Sequence, residues 1–332
     1  MIIHTQAFAR AGLIGNPSDG YFGKCISIIV RNYAAQVTCW ESPTLRIVPQ
    51  VSDRLEFRSL KDLTNDVQLH GHYGGIRLIK ASIKRFHAHC MHTGIDLPDR
   101  NFTIEYQTNI PIRVGLAGSS GIITATMRAL MQFYDVDIPQ PILPNLILSV
   151  EVDELGIAAG LQDRVIQVYQ GAVFMDLGKD FMDQHAHGQY QPLKTANLPP
   201  LFVAYHDNLS EGTEVAHNDL RSRYNRGDAA VRDAMVQFAD YAQQARDHIE
   251  AGRGADIAPL MDANFDLRAS ICPISDGNRQ LVDTGRQLGA AVKFAGSGGA
   301  VIGAYDGDPD RLRRLTDAYA AFGAHLIVPD VD

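Results

Sequence analysis

The sequence has little of what would tie it to a disulfide frame, a nucleic acid or a membrane. Its four cysteines, Cys25, Cys39, Cys90 and Cys272, are scattered over 332 residues, and none stands in a C-x-x-C pair. That spacing fits reduced thiols in a cytosolic protein and argues against a disulfide scaffold or a zinc site. There is no dense Lys/Arg run, and the formal net charge is -8. A nucleic-acid partner or an anionic membrane surface calls for the opposite sign. No apolar stretch approaches the ~20 residues of a membrane-spanning helix. The opening MIIHTQAFARAG lacks the charged region and long apolar core of a secretory leader. A cytoplasmic protein without nucleic-acid or membrane partners is the expectation. Internal repeats and low-complexity tracts are absent too.

What is present is ordinary globular material. Hydrophobic residues make up 45% and charged residues 20%, which supports substantial cores in two domains or one large one. The β-branched run Cys25–Val30 reads as a strand, and Gln36–Trp40 and Thr44–Val48 as two more, with Ser42 and Pro43 turning the chain. Ile76, Ile79, Ile83 and Phe86 fall at helical spacing. Phe102, Ile104 and Tyr106 alternate with polar residues, as in a half-buried strand. A helix is expected over Ile122–Tyr134. The polar stretch Asp180–Pro200 is the expected domain boundary, dividing the chain into residues 1–185 and 186–332. Beyond it come a strand at Leu201–Tyr205 and a long helix carrying Val231, Ala234, Met235, Phe238, Ala242, Ala245 and Ile249. A further helix at Ile257–Ala269, strands at Ala290–Phe294 and Ala300–Ala304, a helix at Asp310–Phe322 and a strand at His325–Val328 complete an α+β second half.

The segment PIRVGLAGSSG (111–121) follows a strand and opens a helix. A helix start offers unpaired N–H groups and the positive end of a dipole, and glycine lets the main chain approach an anion closely. Gly115, Leu116, Ala117, Gly118, Ser119, Ser120 and Gly121 are therefore the candidate phosphate cradle, the two serines also being able to ligate magnesium. The spacing is neither that of a Walker A motif nor that of the dinucleotide fingerprint. Alone, such a loop reads equally well as a flexible turn.

Two further segments make it specific. RAGLIGNPSD (10–19), the 115–121 loop and KFAGSGGA (293–300) resemble, in order and separation, the three signatures of the GHMP kinases. That resemblance implies two α+β domains, the first like domain 2 of ribosomal protein S5 and the second ferredoxin-like, with an active site in the cleft between them. It implies an ATP- and magnesium-dependent small-molecule kinase. GNPSDGYFG (15–23), YGGIRL (73–78), ELGIAAGLQDRV (154–165), NFDLR (264–268) and KFAGSGGAV (293–301) further resemble the branch of that family that phosphorylates the anomeric hydroxyl of D-glucuronate. Alternatives within the family are kinases for galactose, arabinose or a heptose phosphate, and a relative that binds ligand without turnover.

The resemblance also assigns roles. Asp163 matches the catalytic aspartate, which accepts or orients the acceptor's hydroxyl proton. Arg10 matches the cation that pairs with it and stabilises charge on the transferring group. Asp19 matches the residue that binds sugar hydroxyls, and Gly296, Ser297 and Gly298 support the phosphate site. Glu151 stands where the family places its magnesium carboxylate, with Glu154 as rival. The loop here is one residue longer between Leu116 and Gly121 than in many members, so Ser120 is the favoured magnesium ligand and Ser119 the alternative. Arg268, then Arg221 and Arg223, with Lys293 also in play, are candidates for a uronate carboxylate, because an arginine grips a carboxylate through two parallel hydrogen bonds. His87, His89 and His92 around Cys90, and His185 with His187, read as solvated side chains and not as a metal site.

Overall fold

The computed structural model describes residues 1–50, 53, 59–60, 74–209 and 220–332. Of the segments read above, only Tyr73 lies outside the described residues. Among the described residues the first sheet has six strands and is built on an antiparallel pair, β1 (Ile2–Ile14) and β2 (Lys24–Glu41). Cys25–Val30 and Gln36–Trp40, read as two strands, are the two ends of this one strand. The register against β1 jumps from Ala34 to Val30, so residues 31–33 bulge out and bend β2 without breaking it. One edge of β2 faces β1. The other is shared, with β5 (Ala172–Asp176) along Lys24–Ile28 and β4 (Phe102–Thr108) along Ala35–Glu41. β3 (Arg46–Val48) runs parallel to β4, and β6 (Gln189–Leu193) antiparallel to β5.

Against this sheet lie α1 (Gly75–Thr93) and α2 (Gly118–Tyr134). α1 buries Ile79 and Phe86 as its spacing predicts, and Gly94 ends it with a left-handed cap, φ 72°. α2 begins a full turn before Ile122, so Ser119 and Ser120 belong to its first turn. α3 (Leu143–Ser149) widens into a π turn at Val150–Glu154, and α4 (Gln162–Tyr169) and α5 (Lys179–His185) follow. The polar stretch 180–200 holds the end of α5 and all of β6. The change from one sheet to the other thus falls between Leu193 and Leu201.

The second sheet contains β7 (Leu201–Tyr205), β8 (Ala291–Phe294), β9 (Ala300–Ala304) and β10 (His325–Ile327) in the order β10-β7-β9-β8, with every pair antiparallel. α6 (Ala229–Glu250), α7 (Ala258–Ile271) and α8 (Asp276–Gln287) join β7 to β8, and α9 (Pro309–Ala320) joins β9 to β10. This is the split βαβ arrangement of a ferredoxin-like unit. All seven apolar residues named for the long helix are buried in α6. Among the described residues no helix is long and apolar enough to cross a membrane, and the four cysteines are buried.

The two sheets share a core. Leu13 and Ile28 of the first sheet cluster with Ala242, Ala245 and Ile249 of α6 and Ile302 of β9. β1 records this in its burial: residues alternate from Ile2 to Ala7, and from Ala9 to Ile14 every one is buried. Asn264 of α7 closes the seam. Its Oδ1 accepts from the Gly15 N–H at 2.7 Å and its Nδ2 donates to the Asn16 carbonyl at 3.1 Å. Asn264→Ala strands both backbone groups in a site where water does not compete. We expect a loss of about 2–4 kcal/mol, the cost of leaving two buried polar groups unpaired, read as a lower denaturation midpoint with an unchanged m-value.

Candidate active site

The doubly buried end of β1 carries a charged residue. Arg10 is 7% exposed. Its Nε donates to Asp163 Oδ1 at 2.6 Å, and its Nη1 donates to the carbonyls of Gly115 and Ala295, the latter at 3.2 Å. The Arg10 N–H donates to the Leu116 carbonyl at 3.2 Å. One guanidinium therefore joins the 115–121 loop, the 296–299 loop and the first turn of α4. The two glycine loops touch main chain to main chain. A Cβ on Gly296 would stand 2.5 Å from the Gly115 carbonyl oxygen, and one on Gly115, at φ +76°, 2.9 Å from the Gly298 oxygen. Only glycine fits at either position.

The start of α2 sorts its serines. Ala117 sits in the left-handed region, φ 66°, and turns the chain into the helix. The Ser120 hydroxyl is buried and donates to the Ala117 carbonyl at 3.1 Å. Ser119, one residue earlier and about 100° round the helix, donates to Glu151 Oε1 at 2.8 Å. The serine that meets a carboxylate is thus Ser119, and Ser120, favoured from the loop length, is turned inward. Glu151 rides on the π turn, which aims it inward, 2% exposed, while Glu154 leaves the site to pair with Lys84 of α1.

Glu151 also accepts from Arg164 Nη2. Sequence reasoning passed over Arg164, although it stands beside Asp163 in GLQDRV and only a cation beside two carboxylates would signal it. It is 3% exposed, donates to the Gly160 carbonyl at 2.8 Å, and lies 3.3 Å from Asp163 Oδ2. Burial, and then the charge of Arg10, pull its pKa down to about 9, so it is a cation at neutral pH.

Asp19 lies on the short turn Ser18–Tyr21 and packs on Gly160, where a Cβ would stand 2.6 Å from its Oδ2. That places it beside the Asp163 end of the site. Burial first, and then the Asp163 carboxylate, push its pKa up to about 7. The four proposed carboxylate-binding cations separate cleanly. Arg268 is buried, donates to the carbonyls of Gly296 and Ser297 at 3.1 and 2.9 Å, and lies over the Phe294 ring. It braces the third loop. Arg223 is bound to Asp228 at 2.9 Å and to the Ile271 carbonyl at 2.6 Å. Lys293 is 1% exposed and donates to the carbonyls of Gly12 and Phe294 at 2.7 and 2.6 Å. Its pKa is driven well below the usual lysine value by burial, Arg268 and Arg10. Arg221 alone of the four is exposed, beside the Asp19 turn, donating to the Gly20 carbonyl at 2.6 Å and stacked 4.3 Å from the centre of Tyr21. Asn278 also went unread. Its Oδ1 accepts from the Gly299 N–H at 2.8 Å and shapes the third loop. The histidines form no metal cluster among the described residues.

Known proteins resemble this chain in sequence and in fold. Residues 77–171 match the GHMP kinases N terminal domain model. Glucuronokinase 1 of Arabidopsis thaliana is 40% identical over 322 residues, covering 95% of this chain and 88% of its own. Among solved structures, the Lin0012 protein from Listeria innocua superposes with a TM-score of 0.80 at 12% identity, over 99% of this chain and 98% of its own. Streptococcus pneumoniae phosphomevalonate kinase, in complex with phosphomevalonate and AMPPNP, superposes with a TM-score of 0.76 at 16% identity, over 99% of each chain. At those identities the structural likeness is one of fold.

The Asp19 shift makes a stability prediction with a definite sign. Above pH 7 the folded protein holds a charge it disfavours, and below pH ~4 the carboxyl is neutral in both folded and unfolded states. Asp19→Asn therefore raises the melting temperature at pH 8, by a few degrees at most because the group is partly solvated. The gain shrinks as pH falls from 7 towards 4. Thermal unfolding of both proteins across that range checks it; a gain that grows towards acid contradicts it.

Proposed function

The chain belongs to the GHMP kinase family, and from that premise we propose that it transfers the γ-phosphoryl group of ATP, with magnesium, to the anomeric hydroxyl of D-glucuronate. The observation that carries this is the Arg10 junction, which brings both glycine loops and Asp163 to one point. The 40% identity to a glucuronokinase over 95% of the chain supports the choice of acceptor.

The nucleotide's phosphates lie on the 115–121 loop and the first turn of α2, against Gly296, Ser297 and Gly298. The loops' main chains already touch there, and Arg10 and Arg268 supply positive field from behind. The residues fit magnesium. Glu151 and the Ser119 hydroxyl are hard oxygen donors 2.8 Å apart at the mouth of the loop, and magnesium is held by one or two carboxylates together with substrate phosphates. When bound, the ion neutralises charge on the β- and γ-phosphate oxygens. Asp163 orients the C1 hydroxyl and receives its proton, and Arg10, already within 2.6 Å, offsets charge on the transferring group. Phosphoryl transfer asks chiefly for such positioning. Asp19 holds ring hydroxyls, and Arg221 takes the C6 carboxylate that distinguishes a uronate from its parent hexose.

Two measurements test this reading. Asp163→Asn retains nucleotide binding while turnover falls by about 10²–10⁴-fold; near-normal turnover removes Asp163 from the mechanism. In a panel of uronic acids and neutral sugars followed by ATP consumption, glucuronate is preferred. Arg221→Met raises the glucuronate KM and leaves the KM of a neutral hexose in place, because only the uronate loses a partner. A wild-type enzyme that phosphorylates a neutral hexose as efficiently as any uronate overturns the acceptor assignment.

A further inference from the structure

Glu151 has a cation on it before any metal arrives. Its carboxylate and the Arg164 guanidinium are each 3% exposed and hydrogen-bonded to one another. A buried carboxylate without a counter-charge is strongly disfavoured, and breaking such a pair from one side leaves the other charge stranded. In this fold Arg164 prevents that. It cannot stay as it is once a divalent cation sits on the same carboxylate, because two cations would then compete for a group that also holds the Ser119 hydroxyl. Arg164 has somewhere to turn. Its Nη1 already lies 3.3 Å from Asp163 Oδ2, and its buried Nε has no hydrogen-bond partner among the described residues.

We propose that Arg164 is the built-in counter-cation of the metal carboxylate: it neutralises Glu151 in the nucleotide-free protein and gives it up, turning towards Asp163, when magnesium comes in with the nucleotide. The proposal rests on the reading of Glu151 as a metal ligand. It makes magnesium binding to the empty protein weak by design. The ion must displace a guanidinium, and it does so only with the added oxygens of a triphosphate. It also links the two ends of the site, since the charge released from Glu151 moves to the carboxylate that orients the acceptor.

The test uses the full chain without nucleotide and magnesium chloride as the probe, at constant ionic strength, with thermal unfolding as the readout. Wild type shows little magnesium-specific change. Arg164→Met melts several degrees lower in the absence of magnesium and recovers with millimolar magnesium in a saturable way, as expected for a ligand of the folded state alone. The double variant Glu151→Gln with Arg164→Met regains stability without magnesium and does not respond to it. A magnesium response in Arg164→Met no larger than in wild type overturns the proposal, as does a response that survives in the double variant. Should Arg164→Met fail to fold, Arg164→Lys serves. A lysine keeps the charge but lacks the paired donors of the guanidinium, so the magnesium needed for half-maximal binding of a non-hydrolysable ATP analogue falls several-fold. An unchanged or higher requirement overturns the proposal. Glu151→Gln separates the two levels of argument. If it leaves the magnesium requirement of nucleotide binding untouched, Glu151 is not the metal ligand and the underlying reading fails. If it raises that requirement while both Arg164 variants match wild type, only the counter-cation proposal fails.

Discussion

The site depends on a single buried guanidinium. Arg10 donates to two backbone carbonyls and one carboxylate, from residues as far apart in sequence as Gly115, Asp163 and Ala295. A charge in that position is tolerable only because its donors are taken by oxygen, and the oxygens lie where they do only because the two sheets pack on one core. The packing of β1 on both faces, the contact between the two glycine loops and the placing of Asp163 are thus one constraint seen from three sides.

From Arg10 the charges alternate. Arg10, Asp163, Arg164 and Glu151 follow one another through ion pairs and hydrogen bonds and end on the Ser119 hydroxyl, at the phosphate loop. Asp19 stands outside this alternation, and its burial first, then the neighbouring Asp163 carboxylate, make its proton hard to remove. Behind the glycine loops, Arg268 donates to the carbonyls of Gly296 and Ser297, and Lys293 to those of Gly12 and Phe294.

Two local irregularities set the geometry. The bulge at residues 31–33 lets one strand serve β5 at its start and β4 at its end. The π turn at Val150–Glu154 rotates Glu151 inward while Glu154 faces Lys84. Either device would be invisible to an argument from regular periodicity, which treats a strand or helix as uniform along its length.

The residues alone made legible the elements with one clear period and the loops with one clear composition. The seven-residue apolar face of α6 was legible because burial of one face repeats at the period of the helix, and β7, β8 and β9, buried on both faces, were legible within a residue or so as short continuous apolar runs. The glycine signatures and Asp163 were singled out through their resemblance to a family, and the fold brings them together at Arg10. β1 was not read, since its fully buried half carries an arginine where an apolar strand is expected. Nor could the sequence choose between neighbours of the same type. Ser119 faces Glu151 and Ser120 faces Ala117, and Arg221 stands exposed beside the Asp19 turn while Arg268 is held by the carbonyls of the third loop and Arg223 by Asp228. Those choices turn on the direction of each side chain and on which distant carbonyl or carboxylate comes within about 3 Å of it. Only the packing of the two sheets against each other decides that distance.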